Sequence, residues 1–169
     1  MAIPAVYVQE PKPEKKAYKL ITFDTSGFIA RIVLNHPPYN VLTVPLMTEL
    51  AEAIESLNGR GEIKCIVLDA VQDPKVPQKM FSAGISLEDS QADRVFQTLD
   101  SFNRIFQAIR EISKPMIVVV NGQAVGAGSE LVAFGDLVIA TPNAKFLQPE
   151  VKMGVFPPFA AIMGTVSTL

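Results

Sequence analysis

The stretch from Met116 to Glu130 constrains this chain more than any other. Five apolar residues, Met116-Ile-Val-Val-Val120, follow Pro115 without a polar break, as in a buried strand, and lead through Asn121-Gly122 into Val125-Gly-Ala-Gly-Ser-Glu130. A strand that passes through small residues into a helix leaves backbone N–H groups at the helix start free and approachable. Two readings stay open. Small side chains let a helix pack closely on a strand, and the same N–H groups can form half of an oxyanion hole, stabilising charge that develops on a carbonyl oxygen. A phosphate-binding loop fits poorly, because no Gly-Lys-Ser/Thr follows and the spacing is not GxGxxG after a first strand.

The rest of the chain alternates strands with helices, which predicts an α/β architecture. Residues 20–24 and 29–34 flank Thr25-Ser-Gly27 as two strands of a hairpin. A loop, Asn35-His-Pro-Pro-Tyr-Asn40, precedes a helix over about residues 44–58, with Leu46, Met47, Leu50, Ile54 and Leu57 at helical spacing, Thr43 as N-cap and Pro45 in the first turn. Residues 65–68 predict a strand covered on both faces, and 71–80, with Pro74 and Pro77, a loop. A second helix is expected over about 92–112, its face marked by Val95, Leu99, Phe102, Phe106 and Ile109. Strands follow at 115–120, 137–140 and 145–147, with the Gly-opened helix over 125–134 between the first two.

Composition narrows the function classes. With 15 basic and 17 acidic side chains in 169 residues the net charge is −2, without the basic stripe of a nucleic-acid binder. At 49% hydrophobic and 19% charged, the chain can build a core as one domain, expected over residues 18–169 behind a flexible arm at 1–17 rich in Pro, Lys and Glu. Its first residues lack the basic segment and apolar run of a secretory signal, and its apolar runs fall far short of a membrane span, so a cytoplasmic protein without membrane partners is expected. A single Cys65 and a single His36 exclude an internal disulfide and a His/Cys metal cluster, and leave His36 as the one candidate base for a Ser-His-Asp arrangement.

Three further features can carry chemistry. Phe81-Ser-Ala-Gly-Ile-Ser-Leu87 is a second small-residue turn, able to supply another converging N–H or to be only a turn. Glu130 follows the Gly-rich segment, and Glu150 stands among apolar neighbours in Leu147-Gln-Pro-Glu-Val151. Either can be a solvated surface charge. Paired in an apolar site, the two would shift each other's protonation, leaving one as base and one as acid.

Taken in order, Asn35-His-Pro-Pro-Tyr-Asn-Val-Leu42, Phe81-Ser-Ala-Gly84, Lys114 to Leu131, Gly135-Asp-Leu-Val-Ile-Ala140 and Ala144 to Gly154 resemble the signature region of the crotonase (enoyl-CoA hydratase/isomerase) superfamily across about residues 20–160. The resemblance implies a spiral of ββα units that binds an acyl-CoA with its thioester carbonyl between the N–H groups of Ile85 and Ala127. It implies coenzyme A contacts at the turn Ala83, Gly84, Ile85 and Leu87, and it puts Glu130 and Glu150 at the positions of the two hydratase carboxylates. Glu88 stands where some members carry a Lys near the coenzyme A phosphates. Gly154-Val-Phe-Pro-Pro-Phe-Ala160 is similar to the cyclohexa-1,5-diene-1-carbonyl-CoA hydratases of anaerobic aromatic degradation, and the resemblance leads to the expectation that its prolines, Phe156 and Phe159 would make a stiff apolar wall beside Glu150.

The expectation is therefore a hydro-lyase adding water to a conjugated enoyl- or dienoyl-CoA, with no metal and no cofactor beyond the coenzyme A of its substrate. Rival expectations are a linear-chain enoyl-CoA hydratase or isomerase, and a truncated, non-catalytic CoA-binding module. The resemblance also implies C-terminal helices beyond Leu169 that trimerise and cover the acyl pocket. Accordingly the core is expected to be incomplete and the full-length protein a homotrimer or dimer of trimers.

Overall fold

The computed structural model describes residues 17–86, 88, 89, 91, 93–154 and 157. Most of the expected N-terminal arm, Leu87, and the 155–160 run except Pro157 lie outside those residues. β1 (Ile21–Asp24) and β2 (Ile29–Leu34) form the antiparallel hairpin, with Ile21 opposite Leu34. α1 (Val44–Glu55) starts where Thr43 Oγ1 accepts the N–H of Leu46 at 3.4 Å, capping an otherwise unpaired donor. The helix ends at Glu55 rather than near 58, and the whole predicted stripe from Leu46 to Leu57 is buried, Leu57 in the turn that follows α1.

The chain then makes three similar passes. β3 (Cys65–Ala70) is followed by β4 (Met80–Ser82) and α2 (Val95–Glu111), β5 (Met116–Val120) by β6 (Gln123–Val125) and α3 (Ala127–Ala133), and β7 (Leu137–Ala140) by β8 (Lys145–Leu147) and a 3₁₀ helix (Pro149–Met153). The first strand of each pass joins a five-stranded sheet of order β1-β2-β3-β5-β7, and the second joins a three-stranded sheet of order β4-β6-β8. Apart from β1, every neighbouring pair in both sheets is parallel. This is the spiral of ββα units that the resemblance implies.

Three expectations need correction. Two short strands were not expected: β4 takes up the last residue of the 71–80 loop and the first two of the 81–87 turn, and β6 stands between the Asn121-Gly122 turn and α3; three residues are too few for a periodicity to register. β3 and β5 are not covered equally on both faces: Ile66, Leu68, Met116, Val118 and Val120 are buried, while Val67, Ile117 and Val119 are half-buried. On α2 the buried face runs through Thr98, Phe102, Ile105 and Phe106, and Leu99 is exposed. Thr98 can replace an apolar residue there because its hydroxyl donates to the Asp89 carbonyl at 2.9 Å. α2 is tied to α1 by a forked pair, Arg104 to Glu55 at 2.8 and 2.7 Å, which at half-exposed side chains orients more than it stabilises.

Core residues from β2, β3, β5, α1 and α2 form one cluster. Every residue of β7 and β8, by contrast, is exposed, including Leu137, Ile139 and Phe146. No helix among the described residues is long and apolar enough to cross a membrane.

Candidate active site

Because β4, β6 and β8 are parallel, their C-terminal ends share one edge of the small sheet. That edge gathers residues far apart in sequence: Ser82 runs into Ala83-Gly84-Ile85, Val125 into Gly126-Ala127, and Leu147 into Gln148-Pro149-Glu150. The Gly126 N–H donates to the Leu147 carbonyl at 2.8 Å and fastens the second end to the third.

The first two ends meet almost without side chains between them. Gly84 has φ +85°, and a Cβ built on it would lie 2.6 Å from the Val125 carbonyl oxygen and 3.3 Å from Ala127 N, so this contact requires glycine. The Gly84 carbonyl accepts the Leu42 N–H at 2.9 Å, and a trans peptide turns the Ile85 N–H to the opposite side, away from Leu42. The Gly126 carbonyl accepts from Ser129 N at 2.8 Å and Glu130 N at 3.0 Å, so it points into α3 and the Ala127 N–H points out of it. Among the described residues neither N–H has a hydrogen-bond partner. The arrangement offers two donors on adjoining turns.

Both glutamates stand on segments that begin at this edge. Glu130, in the first turn of α3, is 2% exposed. Glu150, on the 3₁₀ helix, is 9% exposed, and its Oε1 would lie 2.8 Å from a Cβ on Gly126, which has φ +55° and ψ −126°. Glu150 Oε2 is buried with no partner among the described residues. An unpartnered buried carboxylate oxygen costs stability unless something polar is meant to meet it. The packing reading of the Gly-rich segment holds at Gly128, where a Cβ would fall 2.8 Å from Ser82 Cβ on β4.

Ala83 lies in the first of these turns, half-buried, and its N–H donates to the Tyr39 carbonyl at 3.0 Å. Glu88 is exposed, its N–H on Ser86 Oγ at 3.2 Å, and Leu87 lies outside the described residues. His36 Nδ1 is 3.0 Å from the Val41 carbonyl, so the ring is engaged by its own loop, and Ser82 Oγ bonds to the Asn40 carbonyl rather than to a base. Among the described residues no three His, Cys, Asp or Glu side chains are grouped to hold a metal ion. A groove of about 630 Å³ lined by Lys79, Gly122, Asn143 and Lys145 lies at the opposite edge of the small sheet and includes neither glutamate. Ser82 and Asn40 are buried and central, and were not singled out in the sequence.

Residues 24–167 match the family model described as enoyl-CoA hydratase/isomerase. The chain belongs to this family. It is 29% identical over 143 residues to a cyclohexa-1,5-dienecarbonyl-CoA hydratase of Thauera aromatica, covering 85% of this chain and 53% of that protein. It is 32% identical over 149 residues to a crotonyl-CoA hydratase of Syntrophomonas wolfei, covering 85% and 55%. Among solved structures, Pseudomonas aeruginosa DspI superposes with a TM-score of 0.77 at 28% identity, over 89% of this chain and 62% of that one. The chain spans about half the length of the curated relatives it matches.

Proposed function

We propose that this chain carries the catalytic edge of an acyl-CoA hydratase, a hydro-lyase that adds water across a double bond conjugated to a thioester. The observation that supports it is the junction of Gly84 with Ala127, which brings two N–H groups with no partner among the described residues to the edge where the segments carrying Glu130 and Glu150 begin. Addition of the water oxygen to the β-carbon moves electrons through the α-carbon onto the thioester oxygen. The Ile85 and Ala127 N–H groups would hold that oxygen, and loss of one such donor typically costs about 2.7–4 kcal/mol of barrier. One glutamate, ionised, takes the proton from water as its oxygen attacks; the other, protonated, delivers a proton to the α-carbon. The chemistry draws on no cofactor beyond the coenzyme A of the substrate, which would lie along Ala83, Gly84, Ile85 and Leu87.

Within this class the reading is a cyclic dienoyl-CoA, cyclohexa-1,5-diene-1-carbonyl-CoA of benzoyl-CoA breakdown. Similarity to the Thauera hydratase and the Val155-Phe-Pro-Pro158 run support it. The second reading is a linear enoyl-CoA, supported by the Syntrophomonas crotonyl-CoA hydratase at comparable identity. A cytoplasmic location and association into a trimer belong to the same proposal; the exposed apolar residues of β7 and β8 support the association.

The test is Glu130→Gln and Glu150→Gln, singly and together, in the whole protein, with cyclohexa-1,5-diene-1-carbonyl-CoA and crotonyl-CoA as substrates. Gln keeps shape but not acid–base capacity, so each single change is expected to lower turnover about 10²-fold or more with little change in thioester affinity. The double variant is expected to lose much less than the two single losses combined, because the groups act on one water. Near-normal turnover in either single variant removes that residue from the mechanism.

A further inference from the structure

We propose that Ser82 is a positioning residue that fixes the spacing and direction of the two N–H donors, with Asn40 locking Ser82 in place; this rests on the oxyanion reading above. Ser82 is fully buried, and its hydroxyl has one direction open to it. Gly84 N, 3.1 Å away, can only donate, so Oγ accepts there and spends its own proton on the Asn40 carbonyl at 2.8 Å. The peptide before Gly84 is thereby tied to Ser82, and the peptide after it, whose N–H belongs to Ile85, is tied through the Gly84 carbonyl to Leu42 N. Glycine at φ +85° has no side chain to resist rotation, so these bonds hold the Ile85 N–H in direction.

Ser82 also touches the other donor's turn. Positions for a Cβ on Gly128 fall 2.8 Å from Ser82 Cβ, 2.8 Å from its carbonyl oxygen and 3.0 Å from Oγ, so the start of α3 rests directly on this serine. One small residue is thus hydrogen-bonded to the Ile85 turn and in van der Waals contact with the Ala127 turn. Asn40 holds it from behind: it is fully buried with φ +48°, its Nδ2 donates to the Val71 carbonyl at 3.0 Å and the Met80 carbonyl at 3.2 Å, and its Oδ1 accepts from His36 N at 3.1 Å. Ser82 needs the hydroxyl for Gly84 and the small volume for Gly128, and serine alone among the common side chains supplies both.

The test is Ser82→Ala in the whole protein, read by steady-state kinetics with crotonyl-CoA and by the infrared stretching frequency of the thioester carbonyl of a bound acyl-CoA. Donors aimed at the carbonyl oxygen lower that frequency relative to free thioester, and a role confined to stability would leave it unchanged. Ser82→Ala is expected to lower kcat about 10- to 100-fold, as misplacements of reacting groups on the ångström scale do. KM should stay within about threefold, while the carbonyl frequency moves back toward that of free thioester. Ser82→Cys keeps the volume but lengthens and weakens the clamp, and the same changes are expected at smaller size. Where Ser82→Ala does not fold, the cysteine variant carries the test, and unaltered kcat and frequency in it overturn the proposal. If the unsubstituted protein binds acyl-CoA and shifts the carbonyl, and a folded Ser82→Ala shifts it equally, the positioning role fails alone. If the unsubstituted protein leaves the carbonyl unshifted, the acyl-CoA reading fails and the positioning role falls with it.

Discussion

Gly126→Ala separates what the Gly-rich turn does for chemistry from what it does for folding. At φ +55° and ψ −126° an L-residue is strained, and forcing a non-glycine side chain into such a region costs on the order of 1–3 kcal/mol. For a domain of this size that lowers the melting temperature by roughly 2–4 °C per kcal/mol. The added methyl would also stand 2.8 Å from Glu150 Oε1, about 0.6 Å inside the 3.4 Å at which ordinary contact begins. The clash is with the tip of a flexible side chain, so it is relieved at little cost by moving the carboxylate. That movement is what the chemistry would feel, since displacing a reacting group by about 1 Å can cost 10²-fold in rate. The expected outcome is a protein that melts a few degrees lower, binds acyl-CoA thioester nearly as before, and turns over crotonyl-CoA about 10- to 100-fold more slowly. Disappearance of the enoyl thioester absorbance and a thermal melt measure the two effects. A variant with the lowered melting temperature and undiminished turnover would refute the reasoning, because Glu150 would then have moved without consequence.

Three other outcomes follow from the same geometry. Ala127→Val crowds the space in front of the Ala127 N–H, and turnover is expected to fall about 10²-fold while the thermal midpoint moves little; equal loss of both would return this turn to a packing role. Gly128→Ala drives a methyl into Ser82 Cβ and its carbonyl, so α3 must lift from β4, with a stability loss of about 1–3 kcal/mol seen in denaturant titration and with activity falling alongside. Burial pushes the Cys65 thiol above its ordinary range and the Asp136 charge adds in the same direction, so little thiolate is present near neutral pH. Its reaction with Ellman's reagent at about pH 8 is expected to be slower than that of free cysteine, and to keep accelerating at higher pH where free cysteine has levelled off.

The parts of this fold that were legible are those where burial is periodic over several turns or strands. The apolar stripe from Leu46 to Ile54 on α1, with Leu57 just past its end, is legible because each position faces the same core. α2 was read one position off at Leu99, since a buried threonine whose hydroxyl finds a carbonyl is invisible to an apolar count. β4 and β6 are not legible because strands of three residues carry no alternation to detect, yet their pairing brings the turns at Gly84 and Gly126 together. The glutamates and the turns at Gly84 and Gly126 stood out in sequence by residue type. Asn40 and Ser82 did not, because Ser82 reaches the Asn40 carbonyl across 42 residues and Asn40 reaches the Val71 and Met80 carbonyls across 31 and 40, relations with no local signature. The positive φ at Asn40, a residue type that tolerates it, was the nearest available clue.

Chemistry and packing meet within three residues here. Gly126 admits a carboxylate, Ala127 offers its N–H, and Gly128 rests on Ser82, so a side chain added at any of the three disturbs a different function of one turn. The spiral makes this possible. Each pass places a strand in the small sheet in parallel with the previous one, and successive C-terminal ends arrive at the same edge one sheet spacing apart, roughly 4.8 Å. A side chain at Gly84 or Gly128 would hold the adjoining turns apart. On the proposed oxyanion reading, Gly84 and Gly128 are what lets two parallel strands deliver their N–H groups to one oxygen, and Ser82, the one polar side chain of the 81–85 and 125–128 segments, is where that spacing would be set.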